Sequence, residues 1–573
     1  MKSREQKDAV SSTSAGPEFR ADNHGATVTE TRTRLSAAFG WNAVGFTSQA
    51  IFQLILGLVL ARILGPTTYG LVAMAWVALT PATILADAGL GLALVQKQEL
   101  TSATIRYAFC VQSLVAFLVG IFLCILAPRL AEFFVAPELI DILFVGSGIL
   151  LVQAFGLTSV NLLRRRLDFR RLQIVQLVAL MGSAILVSLP LALAGFGIWS
   201  PVGGALANAA MTSIGAGVFT PMKTGISGRS ISVLVVVAVV SSVLPVFFGM
   251  GFWTMSATIA TNGALVATAI YHAARGGSLQ ELRRQGSFTS SSVRFLLLNL
   301  INAAAGALPA LIIGRFFGVA ALGLFDRAYA LIVTPVARAA AAMETVLFSH
   351  HADLHRTGKM QTNVFLRSLS IAFLVGIPFA VGVVENGRLI IDVALGAKWE
   401  GVVPLVAPLA ALTLLILALQ AAVPVLNSRG RSDVDLLAQL ATIAFFLISL
   451  AFLAIDETAD ILWVLVAAYG FRALCLVVTA GYVLEVRLQS LLLCIVPGGL
   501  TAVLALTINR IFPENLAQSI SKPTRLAIVM GIYALVLLLT WIAHRASFVA
   551  RLFGGSARGR MADDARGGSP KDR

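Results

Sequence analysis

Charge is what this sequence has least of. Asp, Glu, Lys and Arg together make up 12% of the 573 residues, hydrophobic residues make up 58%, and the mean hydropathy is +0.87. A soluble protein of this length carries roughly twice that charged fraction. Cysteine is scarce as well. Cys110, Cys124, Cys475 and Cys494 all sit inside apolar runs at no metal-like spacing, so they read as core residues and not as a disulfide framework or a metal site. No Walker A sequence occurs, so neither a nucleotide-driven motor nor a cofactor is expected. The N-terminal end lacks the apolar core and cleavage site of a signal peptide. Residues 1–34 and 547–573 are polar and are expected to be disordered cytoplasmic tails.

What the chain has is apolar runs. Stretches of about 20 residues, enough to cross a bilayer, follow one another from Phe39 to Ile542. Sixteen spans are predicted, near 39–61, 70–94, 106–127, 139–162, 172–194, 197–219, 231–248, 252–273, 293–314, 321–348, 366–384, 402–425, 434–455, 461–484, 488–509 and 524–544. The net charge is +15, yet the basic residues form no single patch suited to a nucleic acid. They alternate with the spans. The loop "RRRLDFRR" carries Arg164, Arg165, Arg166, Arg170 and Arg171, and the same side holds Lys97, Lys223, Arg229, Arg275, Arg283, Arg284, Arg356, Lys359, Arg429, Arg431 and Arg487. The opposite side has far fewer, among them Arg129, Arg388, Lys398, Arg510, Lys522 and Arg525. Basic loops stay inside. Both termini are therefore expected in the cytoplasm, and an even number of spans agrees.

One phrase is written twice. In "LARILGPTTYGLVAM" (60–74) Arg62 is followed by Gly65, Gly70 and Leu71; in "IGRFFGVAALGLFDR" (313–327) Arg315 is followed by Gly318, Gly323 and Leu324, at a constant offset of 253. An even number of spans separates the copies, so both face the same side. That is a parallel repeat about an axis along the membrane normal, the plan of two lobes around a central path. A shorter echo occurs inside the chain: Gly195, Gly197, Trp199 and Asn208 recur 54 residues later as Gly249, Gly251, Trp253 and Asn262. The hairpin at 231–273 therefore reads as a tandem copy of the two spans before it, expected outside the transport core with one face against lipid.

The stretch "LARILGPTTYGLVAMAWVALTPATILADAGLGLALVQKQELT" (60–101) resembles the opening of oligosaccharide-repeat-unit flippases of the Wzx type, in the polysaccharide transporter branch of the multidrug/oligosaccharidyl-lipid/polysaccharide exporter superfamily. The likeness continues in "RRRLDFRR" (164–171) and "GFGIW" (195–199), and resumes in "GRFFGVAALGLFDRAYALIVTP" (314–335), "ETVLFS" (344–349), "GAKW" (396–399) and "NSRGRSD" (427–433). It covers most of residues 39–484 in order. The resemblance implies an all-α polytopic membrane protein of two six-helix lobes, related by a pseudo-two-fold along the membrane normal, plus extra helices. On that plan residues 35–220 are the N-terminal lobe, 221–291 the extra hairpin and a basic linker, 292–486 the C-terminal lobe, and 487–546 two C-terminal helices. It also implies alternating access for an undecaprenyl-diphosphate-linked oligosaccharide in a bacterial inner membrane, serving exopolysaccharide, O-antigen or capsule assembly. A polysaccharide polymerase and a chain-length regulator are the protein partners it suggests, beside membrane lipids. Two features depart from the family: fourteen spans are usual, and the span at 293–314 offers only Asn299 and Asn302 where relatives often carry polar or charged groups midway.

A lipid-linked glycan has an anionic diphosphate, a polar head and a long apolar tail. Ionisable residues deep in spans are costly unless they face a wet cavity. Arg472 is the deepest, with no charge elsewhere in 461–484; it could face the cavity or pair with a carbonyl or carboxylate of a neighbouring helix. Arg338, after Pro335 and beside a run of alanines, could line the substrate path or a packed interface. Asn302 and Gln53 are candidates for binding sugar hydroxyls, with Gln49, Gln153 and Asn208 as further polar residues that interhelical hydrogen bonds explain equally well. Glu344 and Asp87 could carry a coupling ion or be structural partners. Arg62, Arg315 and Asp326 read as outer-side anchors or a lobe-closing network. In "HHADLH", His351 and His355 stand at i, i+4, but no third metal ligand is in sight, so a solvated loop is expected.

The rival readings are a polysaccharide polymerase or ligase, a lipid II flippase, a drug exporter of the same superfamily, and a scaffold. The enzymes need a sizeable external loop, and the longest here, near 385–401 and 510–523, are short. A cation exporter would want acidic cavity residues, whereas the deep charges are chiefly Arg338 and Arg472.

Overall fold

The computed structural model describes residues 28–87, 101–220, 228–248, 252–274, 290–511 and 521–542, and nearly all of them are helical. Both expected tails lie outside these residues apart from 28–34, which form the first turns of α1 (Val28–Ile63). The stretch "VTETRTRLSAA" holds neither glycine nor proline, so nothing stops the span's helix from running back into this polar segment.

The first compact unit ends at Gly323. After α1 it contains α2 (Pro66–Asp87), α3 (Ser102–Phe134), α4 (Leu139–Arg165), α5 (Phe169–Ser183), α6 (Leu189–Leu193), α7 (Trp199–Phe219), α8 (Gly228–Phe248), α9 (Phe252–Ala274) and α10 (Ser290–Phe316). The second begins at Leu324. It holds most of α11 (Gly318–Arg356), then α12 (Thr362–Glu385), α13 (Gly387–Ala394), α14 (Val403–Ser428), α15 (Ser432–Phe452), α16 (Thr458–Val483), α17 (Leu488–Leu493), α18 (Val496–Ile511) and α19 (Lys522–Ile542).

Among the described residues, fourteen helical segments are long and apolar enough to cross a membrane. The chain is an all-α polytopic membrane protein. Fourteen of the sixteen expected spans coincide with these; the two that do not are the hairpin, where α8 is a 21-residue and α9 a 23-residue helix. Thr258, Thr261, Asn262 and Thr268 interrupt the apolar run of α9. In the first unit α8 packs on α4 and α7, and α9 packs on α8 and α3. Ile231, Leu234, Val235 and Ala238 of α8 are buried while Val233, Val236 and Val240 are exposed, so one face is open. Ser241 Oγ donates to Asn262 Oδ1 at 2.8 Å and Thr258 Oγ1 to the Ser241 carbonyl at 3.1 Å, which pins the hairpin shut. Of the 54-residue echo, Gly249 and Gly251 lie outside the described residues.

Each unit is built round one helix that is apolar on all sides, the pattern of a fully buried span. In the first it is α4, packed against α2, α3, α7 and α8; in the second it is α14, packed against α12 and α16. Around α14 the core gathers Phe365, Leu369, Leu419, Leu426 and Leu476. The quoted "RRRLDFRR" is the turn between α4 and α5. Leu167 takes a left-handed conformation at φ +55°, and the Asp168 carboxylate caps α5 by accepting from the Arg171 amide at 3.2 Å. The arginines stay at the surface, with Arg170 over the Trp41 ring at 5.4 Å and Arg171 over Phe219 at 5.7 Å. Beyond α5 a π turn, Ala184–Ser188, precedes Pro190. Proline has no N–H to continue the ladder; close by, the Ser188 carbonyl accepts from Ser200 Oγ of α7 at 2.7 Å.

Candidate functional site

The deepest charge is not alone. Arg472 sits in the middle of α16, and its Nη2 donates to Asp435 Oδ1 at 2.7 Å; the two side chains are 14% and 25% exposed. Asp435 lies in the first turn of α15, where the helix dipole favours a carboxylate. Its own span offers Arg472 no partner, so the guanidinium crosses to the next helix. A third charge joins them. Glu344 of α11 accepts from the Gln420 side chain of α14 and lies within electrostatic reach of both Asp435 and Arg472. Tyr469, one turn before Arg472, is within reach as well. Four helices thus bring two carboxylates and one guanidinium together. Arg472 Nε is buried without a hydrogen bond among the described residues, so the pair leaves one donor of the guanidinium unused.

Arg338 stands apart from this cluster. It is half-buried in α11, and neither a hydrogen bond nor an ion pair holds it among the described residues. Six residues separate it from Glu344, which at 100° per residue puts them on different faces. Asn302 of α10 and Gln53 of α1 are both exposed. Gln49 is not available in the same way: its Nε2 donates to Gln173 Oε1 at 2.6 Å, tying α1 to α5.

Asp87 belongs to a different arrangement. Gln112 Nε2 donates to Asp87 Oδ1 at 3.1 Å, and Thr158 Oγ1 donates to Gln112 Oε1 at 2.7 Å, so one amide bridges α2, α3 and α4. Gln112 and Thr158 are fully buried, and Ala86, Ala116 and Ala154 pack one turn away. Sequence reasoning missed Gln112 and Thr158. The available signal was a lone amide in the apolar span of α3. Gln112→Leu is expected to lower stability by about 1–3 kcal/mol, because it removes a buried hydrogen bond to a carboxylate. Thermal unfolding of the purified protein checks this; an unchanged midpoint would mean the bridge holds nothing.

Arg62, Arg315 and Asp326 do not share one fate. Arg62 and Arg315 are exposed at the ends of α1 and α10, and Arg315 lies 5.5 Å from the Phe133 ring centroid. Asp326 is taken up by its neighbour Arg327, whose Nη2 stands 2.6 Å from Oδ2. The histidine pair is split. His351 is fully buried and His355 is exposed. The His351 carbonyl accepts from Gln361 Nε2 at 2.6 Å, Gln361 Oε1 accepts from Arg429 Nε at 2.9 Å, and Arg429 Nη1 reaches the Val483 carbonyl at 2.9 Å. Arg429 of "NSRGRSD" is thereby the tie that holds four helix ends of the second unit.

A family model described as polysaccharide biosynthesis protein matches residues 59–234 and 226–404. The chain is 32% identical over 161 residues to the succinoglycan biosynthesis transport protein ExoT of Rhizobium meliloti (strain 1021), covering 28% of this chain and 32% of that one. It is 28% identical over 153 residues to the teichuronic acid biosynthesis protein TuaB of Bacillus subtilis (strain 168), covering 27% and 32%. Against the lipopolysaccharide biosynthesis protein WzxC of Escherichia coli (strain K12) it is 20% identical over 369 residues, 64% of each chain. The match thus spans about a third of the length of the first two relatives and 64% of the third. Among solved structures, the lipid II flippase MurJ in an inward closed conformation shares the fold, with a TM-score of 0.54 at 11% identity over 88% of this chain and 99% of that one.

Proposed function

The chain belongs to the polysaccharide biosynthesis protein family, and from that membership we propose that it flips lipid-linked oligosaccharide units across a membrane. The substrate is an undecaprenyl-diphosphate-linked glycan, the membrane a bacterial inner membrane, and both termini lie in the cytoplasm. The basic loops support that sidedness. Arg338 and Arg472 serve the diphosphate, Asn302 and Gln53 the sugar head, and Glu344 and Asp87 the coupling to an ion gradient. Arg62, Arg315 and Asp326 act on the outer side. Two six-helix lobes, 35–220 and 292–486, carry the substrate by alternating access, with the α8–α9 hairpin outside them.

The observation that carries this reading is Arg338. A half-buried guanidinium midway along an apolar helix, without an ion pair or hydrogen bond among the described residues, is costly against lipid and favourable against an anion or a wet cavity. Several kilocalories per mole favour such a position only if something polar meets it. A polymerase is less well supported: between the described spans, the longest connection away from the basic loops is Asn386–Val402, and α13 and one 3₁₀ turn fill most of it. Arg338→Gln is expected to cut glycan export at least tenfold in cells lacking the native gene, with protein in the membrane at its normal level, and Arg338→Lys to keep part of it. Normal export by Arg338→Gln would remove this residue and the reading built on it.

A further inference from the structure

The repeated phrase has a structural reason, and it lies where the two copies meet. A Cβ added to Gly70 would stand 1.8 Å from the Val319 carbonyl oxygen, and one added to Gly323 would stand 1.8 Å from the Pro66 carbonyl oxygen. The contact is reciprocal. It also obeys the offset of the repeat, since 66 + 253 = 319 and 70 + 253 = 323. Each glycine lies on the carbonyl four residues before the other glycine, in the first turn of the partner helix. All four residues belong to the first unit. The same unit packs α10 along α2, and Gly314 against Phe134.

Ordinary close packing does not look like this. Gly148, Gly156 and Gly204 also meet near neighbours, but those are serine side chains on adjacent helices. Three described glycines would place a Cβ within 2.5 Å of a backbone carbonyl oxygen, Gly70, Gly323 and Gly498, and Gly498 faces Phe373 with no counterpart. Bare glycine against a carbonyl makes a Cα–H···O contact of modest strength, with no interdigitated side chains to hold it. Such a contact closes tightly and parts cheaply. It lies at the N-terminal ends of α2 and α11, opposite the basic loops.

We propose that the Gly70–Gly323 contact is the seal that closes the transport path on the side away from the basic loops, and that it parts to release substrate there. This rests on the transport reading above. In a parallel-repeat transporter the two copies touch on the pseudo-two-fold axis, so opening that side requires the axial contact to break. A side chain at either glycine would hold the seam open.

Two experiments test the seal in a full-length protein whose four cysteines are replaced by alanine. The first leaves both glycines intact. Thr67→Cys and Ala320→Cys, which are equivalent under the same offset, are joined by a short bis-thiol reagent, and glycan export is measured. Joining is expected to stop export, and cleaving the reagent to restore it. Normal export by the joined protein overturns the proposal, because the contact is then static packing. The second adds Gly70→Leu or Gly323→Leu. Each is expected to reduce joining at least fivefold and to raise labelling of Asn302→Cys by an impermeant thiol reagent from outside by a similar factor. Gly65→Ala, whose Cβ meets nothing within 4 Å, is expected to change neither. Unchanged joining and labelling in leucine variants present at normal membrane level also overturns it. If the parent protein moves no glycan at all, the transport reading fails, while joining and labelling still decide whether the seam opens.

Discussion

Replacing Arg472 by alanine is expected to abolish glycan export while full-length protein reaches the membrane. The reason lies in what the substitution leaves behind. Asp435 and Glu344 would face each other with no cation between them, since Arg472 is the guanidinium that pairs with the first and lies near the second. Breaking one side of a buried pair costs about 3–5 kcal/mol, whereas replacing both partners by apolar groups is often neutral. Loss of export could therefore reflect stability alone, and a second variant separates the two. Arg472→Met with Asp435→Leu is expected to recover most of the thermal stability but not the export, because the charge offered to the diphosphate is still missing. Arg472→Lys keeps the charge but loses the planar fork, and is expected to retain part of the activity. If the apolar double variant exports normally, the pair is scaffolding and Arg472 leaves the site.

The second large effect is all or none. A single cysteine at Arg166, in the turn between α4 and α5, is expected to be shielded from an impermeant thiol reagent in intact cells. One at Lys398 is expected to label fully; both positions are exposed in the structure. The sidedness rests on where Lys and Arg lie, not on net charge. On the sparse side Arg129 pairs with Glu132, Arg388 with Glu400 and Lys522 with Asp392. On the arginine-rich side Arg171 pairs with Asp168 and Arg356 with Asp353. The reverse labelling pattern would invert every statement here about which side is sealed and which is open.

The fold class was legible because it depends on local quantities. Runs of about twenty apolar residues form helices wherever they sit, since a backbone in hydrocarbon must satisfy its own hydrogen bonds. The hairpin reads as two more spans, 231–248 and 252–273, and both are helices, with threonines and Asn262 spread through α9 where it packs on α3 and α8. Candidate residues were legible one at a time. Arg472, Arg338, Glu344 and Asp87 stand out as charges in apolar runs, but nothing linear shows that Arg472 meets a residue 37 positions earlier. Asp435 was not among the candidates, because a carboxylate near the start of a span is ordinary in a sequence.

By itself, then, the sequence determined that this chain spans a membrane many times, that its basic residues cluster between the apolar runs, and that a phrase beginning at Arg62 returns at Arg315. Each follows from composition, period or spacing, which need no neighbour. Only the tertiary structure decided that Arg472 is paired, that Gln112 bridges three helices, and that Gly70 and Gly323 rest on each other's carbonyl partners. Those are contacts between residues far apart in the chain, and their energies depend on distances of a few ångströms that helix packing alone sets.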